Sequence, residues 1–66
     1  MKLILNGNSR DVGDVTNVTS LLTVLGFAQI PVLVEHNGTA LFPREYDTAE
    51  LAEGDTLEII RVVAGG

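Results

Sequence analysis

Three turn signals cut this chain into short pieces and restrict it to hairpins and tight corners. Asn6-Gly7 and Asn37-Gly38 are Asn-Gly pairs that each follow a stretch rich in apolar residues, 3–5 and 30–34. That is the strongest short-range hairpin signal, because both residue types tolerate positive φ. Glu53-Gly54-Asp55 marks a third corner. Residues 2–6, before the first turn, have strand composition, and a second strand over about residues 9–12 pairs back on them. Gly13-Asp14 breaks the pattern. After Pro31, residues 32–36 form a strand that Asn37-Gly38 turns into a short one over 39–42, ended by Pro43. Residues 44–51 are polar with scattered apolar positions and read as a turn of helix and a loop. The last strand, 56–63, is rich in β-branched residues and long enough to sit centrally.

Between the first two hairpins the apolar spacing becomes helical. Val18, Leu21, Leu22 and Leu25 lie on one face of a helix. Thr16, Asn17 and Thr19 offer oxygens to its first unpaired amides, and Gly26 stops it in the left-handed conformation. The helix is short, about ten residues, and its threonines and Val24 are poor helix formers, so packing must hold it. The element order defines an α+β class: one main helix packed on one face of a mixed sheet of four to five strands. The first and last strands are expected side by side and parallel, the arrangement of a β-grasp.

Alternation assigns the faces. Leu3 and Leu5 share one face of the first strand, and Leu57 and Ile59 share one with Arg61 in the last. These leucines and Ile59 are expected under the helix. Ile4, Ile60 and Val62 then fall on the open face, where large aliphatic side chains form a docking patch, with Phe42 a further member.

The chain has 66 residues, 45% of them hydrophobic, which makes one small domain with a thin core. Residues 1–63 are assigned to that domain and 64–66 to a flexible tail. There is no cysteine, so disulfides, thiolate chemistry and Cys-ligated zinc are excluded, and His36 alone builds no metal site. The longest apolar run, 30–34, is far below a membrane span, and the opening residues are not a signal peptide, so the chain reads as cytoplasmic. Nine acidic residues against four basic give a net charge of −5. That argues against nucleic acid and favours a basic protein partner.

No catalytic set is present. Ser9 and Ser20 lack a base, since His36 sits at a strand end. Glu45 and Asp47 read as solvent-facing or capping groups, and Asp11 and Asp14 as turn and cap residues. Pro43 makes Arg44 emerge at a defined corner, where it is expected to hold a carboxylate or a backbone carbonyl, with partner recognition as the alternative role. The informative segment is Ala64-Gly65-Gly66 directly after the strongest strand. A terminal carboxylate is a poor electrophile and must be activated, for example as an acyl-adenylate. Glycines without Cβ fit the narrow channel of an ATP site and take almost any φ/ψ.

Taken together, the opening strand with Asn6, Leu21-Leu22, Asn37-Gly38, Pro43-Arg44-Glu45, Gly54-Asp55 and Val63-Ala64-Gly65-Gly66 resemble the ThiS family of small sulfur carrier proteins of thiamine biosynthesis. The resemblance covers essentially the whole chain and implies a ubiquitin-like β-grasp. It also implies that an adenylating enzyme (ThiF-like) uses ATP to activate the Gly66 carboxylate. Sulfur from a cysteine desulfurase or another donor then makes a thiocarboxylate, and a thiazole synthase (ThiG-like) consumes it. Gly65 and Ala64 provide the tail's access. On this reading the chain is a carrier rather than an enzyme, binds no cofactor itself and is a monomer when free. Two features depart from similar sequences. His36 stands where they carry an apolar residue, and the stretch from Asn37-Gly38 to Pro43 is about one residue longer, which fits a bulge or a longer turn. The alternatives, in order, are a molybdopterin synthase small subunit or another sulfur carrier (for tRNA thiolation or cysteine synthesis), a ubiquitin-like protein modifier, and an inert interaction domain.

Overall fold

The structure, a computed structural model, describes residues 1–63. Strands β1 (Lys2–Leu5) and β2 (Asn8–Asp11) are followed by helix α1 (Val18–Leu25). Strands β3 (Val32–His36) and β4 (Thr39–Leu41), a 3-10 turn over Pro43–Glu45 and strand β5 (Thr56–Arg61) complete the described chain. One five-stranded sheet runs in the order β2-β1-β5-β3-β4. β5 is central, parallel to β1, as expected, and antiparallel to β3.

Both hairpins turn through two residues with positive φ. Asn6 and Gly7 stand at 49° and 86°, and Asn37 and Gly38 at 50° and 84°. These values define type I′ turns, whose twist matches that of the flanking strands. The second hairpin contains no bulge. Its register runs unbroken from His36↔Thr39 to Val34↔Leu41. The last strand ends at Arg61, two residues before the position expected from composition. Val62 still donates its N–H to Pro31 O at 3.0 Å. Proline has no N–H to return the bond, and the ladder stops there.

Helix α1 has eight residues rather than about ten because both ends are closed by specific bonds. Asn17 Oδ1 accepts the Ser20 N–H at 2.8 Å, and Ser20 Oγ accepts the Asn17 N–H at 3.1 Å. The N–H groups of Val18 and Thr19 donate to the carbonyls of Ala49 and Tyr46, in the segment that crosses the helix start. Leu21 donates to Asn17 O. All four amides that a helix normally leaves unpaired are thereby satisfied. At the other end Gly26, at φ 86°, donates to Thr23 O while Phe27 donates to Leu22 O, a Schellman closure.

The apolar face of α1 covers Leu3, Leu5, Leu57 and Ile59, with Leu3, Val18, Leu21, Val34 and Leu57 the most deeply buried. Val12 and Val15 before the helix and Leu51 after the 3-10 turn close the rim of the core. Arg61 lies exposed beyond Ile59 at the end of the covered face.

Candidate functional site

The uncovered face of the sheet, beside the end of β5, gathers four of the seven exposed large apolar side chains found among the described residues. Ile60 is 57% exposed and directly opposes Leu33 on β3, itself 61% exposed. Leu41 opposes Val34, and Phe42 follows it with extended backbone (φ −84°, ψ 152°). Alternation therefore places Phe42 beside Leu33. Val62 lies two residues beyond Ile60 on the same face and is also exposed. Phe42, Leu33, Ile60 and Val62 thus form one row across β4, β3 and β5. Of the residues expected in a patch, Ile4 is not in this row. It aligns with Thr56, four residues before Ile60, which is about 13 Å along the strand. Leu33 is the member that the sequence reading passed over. Its signal was the alternation Val32-Leu33-Val34, whose outer residue faces away from the helix.

β5 is held in place by side chains that act as extra ladder partners. Asn6 Nδ2 donates to Ile59 O at 3.1 Å and Asn6 Oδ1 accepts the Ile59 N–H at 2.7 Å. At the other end of β1, the Glu53 carboxylate accepts the Lys2 N–H with both oxygens, at 3.1 and 3.0 Å. Asn37 Oδ1 accepts the Thr56 N–H at 2.9 Å. A two-position parallel register between β1 and β5 is in this way lengthened at both ends. The row around Ile60 therefore sits on a strand pinned from both sides.

His36 joins the same set. Its Nε2 lies 2.7 Å from Asp55 Oδ2, which also accepts the Ala52 N–H at 2.9 Å. The pair ties the β3–β4 turn to the corner before β5. Partial burial pushes the Asp55 carboxyl up, but the bonds from His36, Ala52 and Asn37 outweigh it, and its pKa lies below the usual carboxylate value. Asp11 is lowered too, by the Gly13 N–H and then by the chain's ammonium group. Burial raises Tyr46, whose hydroxyl donates to Val32 O at 3.1 Å.

Ser20, Glu45 and Asp47 have structural partners. Ser20 Oγ serves the helix cap. Glu45 Oε1 accepts the Phe42 N–H at 2.8 Å, and Asp47 Oδ1 accepts the Thr19 hydroxyl. Arg44 does not take the carboxylate or carbonyl expected of it. Its guanidinium lies 4.6 Å from the centroid of the Phe42 ring, a cation–π stack at the edge of the apolar row. Among the described residues no group of three or more His, Cys, Asp or Glu could hold a metal ion, and no helix is long and apolar enough to cross a membrane. Ala64, Gly65 and Gly66 lie outside the described residues.

Comparison with known proteins adds a second line of observation. The model of the ThiS family matches residues 3–66. The crystal structure of a thiamine biosynthesis protein (ThiS) from Geobacter metallireducens is 36% identical, superposes with a TM-score of 0.83 and covers 100% of both chains. An NMR solution structure of a thiamine biosynthesis protein from the same organism is 36% identical with a TM-score of 0.82, over 100% of this chain and 88% of that one. Thiazole synthases of Magnetococcus marinus and Paramagnetospirillum magneticum are each 35% identical over 66 residues, 100% of this chain and 20% of theirs. The chain therefore spans about one fifth of the length of these curated relatives.

Proposed function

The chain belongs to the ThiS family and has its β-grasp fold, and on that premise we propose that it carries sulfur as a thiocarboxylate at Gly66 for thiazole formation. The observation that carries this reading is the likeness to a ThiS crystal structure over the whole length of both chains.

In the proposed sequence a carboxylate oxygen of Gly66 attacks the α-phosphorus of ATP in an adenylating enzyme, and pyrophosphate leaves. The outer sulfur of a persulfide on a donor protein then attacks the acyl carbon and AMP leaves, giving an acyl disulfide. A thiol attacks the donor cysteine's sulfur, the S–S bond breaks, and the thiol and that cysteine are left as a disulfide. The freed thiocarboxylate delivers its sulfur to a thiazole synthase. Two thiazole synthases contain a segment similar to this chain, which supports that enzyme as the acceptor. Gly65 and Ala64 give the terminus access to both enzymes. The apolar row of Phe42, Leu33, Ile60 and Val62 gives them a docking face next to the strand that leads to residue 64.

Mass spectrometry of the protein isolated from cells tests the chemistry. Exchange of one oxygen for one sulfur at the C-terminus is expected. A chain that releases no pyrophosphate with the adenylating enzyme and ATP, and carries no sulfur in cells, overturns the reading.

A further inference from the structure

Directly below the apolar row, Glu35 on β3 opposes Glu58 on β5. Both are exposed on the open face. Opposed residues in an antiparallel pair have Cβ atoms about 4.5–5.5 Å apart, and like charges there destabilise the sheet. Nothing among the described residues relieves this pair. The two ion pairs found there join the chain's ammonium group to Asp11 and His36 to Asp55. Of the chain's own cations, Arg44 is stacked on Phe42, and Arg61 opposes Val32 at the end of the helix-covered face. Lys2 and Arg10 lie on β1 and β2, on the far side of β5 from Glu35. Between the two carboxylates and the row lies a shallow depression of about 150 Å³ whose apolar wall includes Leu33, Ala40 and Ile60.

An apolar floor with two carboxylates at one end matches a long basic side chain. Its methylene stem lies along Leu33, Ala40 and Ile60, and its cationic head sits between Glu35 and Glu58. We infer that this depression receives one arginine or lysine from the face of the protein that docks on the sheet, so that a like-charge pair costly to the free carrier becomes the anchor of the complex. A second copy of this chain is the wrong occupant, because each carries a net charge of −5 and stacked open faces would bring four carboxylates together. Identifying the docking protein as the adenylating enzyme rests on the proposed function.

The test replaces the pair by Glu35→Gln/Glu58→Gln. A control, Asp14→Asn/Glu50→Gln, removes the same number of charges elsewhere. Native chain and both variants are melted, then assayed for adenylation with the adenylating enzyme at low and high salt. The glutamine pair is expected to melt no lower than the native chain. It is also expected to raise the KM for the carrier on the order of tenfold at unchanged kcat, and to lose most of the salt dependence of KM. An unchanged KM, an equal rise in the control, or a native chain that dimerises through this face in sedimentation velocity overturns the inference and leaves the carrier reading standing. A native chain that is not adenylated at all overturns the carrier reading instead. The inference is then decided by calorimetric titration of native chain and glutamine pair into thiazole synthase, where equal affinity or no binding ends it.

Discussion

Asn6 shows how much one side chain does in a domain this thin. It takes positive φ in the first turn and bonds both backbone groups of Ile59. Asn6→Ala leaves a strained turn residue and an unpaired amide in a part-buried place, and should cost about 2 kcal/mol in urea denaturation at neutral pH. Asn6→Asp keeps the acceptor for the Ile59 N–H but loses the donor, and should fall between. The turn role is legible locally, since Asn-Gly needs no context. The clamp is not, because its partner is 53 residues away. Glu53 on Lys2 is hidden for the same reason. Asp55 belongs to this scale as well. Its folded pKa is lowered, so its ionised form is favoured by folding. That contribution is fully present above the unfolded value of about 3.9 and is lost as pH falls through the lower folded value. Asp55→Asn should therefore lower stability by about 1–2 kcal/mol at pH 7 and much less near pH 3. Melting curves across that range should converge for the two proteins, and parallel curves would refute the role given to the carboxylate.

At the scale of elements, periodicity revealed what is periodic. The helix face, the alternation of β1 and β5, and the parallel pairing implied by element order are all present. Val12, Val15 and Leu51 were invisible as core because they sit in connections with no repeating pattern. The helix cap was half visible: Asn17 has a capping side chain, but Ser20 at the third position replaces the glutamate or glutamine that marks the usual box. The apolar row was legible at Ile60, Val62 and Phe42 and missed at Leu33, while Ile4, exposed as expected, lies away from it. Alternation assigns a face, while only the register says which residues on that face are neighbours. Ile60→Asp puts a charge into the middle of the row with no buried contact to lose. It should change stability by about 0.5–1 kcal/mol in urea. It should also raise the KM of adenylation about tenfold or more, equivalent to at least 1.4 kcal/mol of lost binding. A variant that unfolds would show that Ile60 supports the core.

For the whole molecule, stability and function are expected to separate along the chain. Every buried residue among those described lies between Leu3 and Ile59, and residues 60–63 are exposed. The sheet ends at Arg61, where Pro31 cannot continue the ladder. Changes at Gly65 and Gly66 should therefore leave melting temperature and urea midpoint at the native values. Their proposed role is chemical. Deleting Gly66 moves the carboxylate back by one residue, about 3.3–3.6 Å of extended chain, which is too far for attack on an α-phosphate held at a fixed distance from the docking face. Gly65→Val adds a branched side chain and removes the backbone conformations only glycine adopts freely. Both variants should bind the adenylating enzyme through the intact apolar row, compete with the native chain, and release no pyrophosphate. Competition with no turnover is the decisive combination, because it separates a docked but unreactive carrier from one that never docks. Normal pyrophosphate release by the Gly66 deletion would remove the carboxylate of Gly66 from the mechanism, and a variant that fails to compete would place part of the docking energy in the last residues themselves.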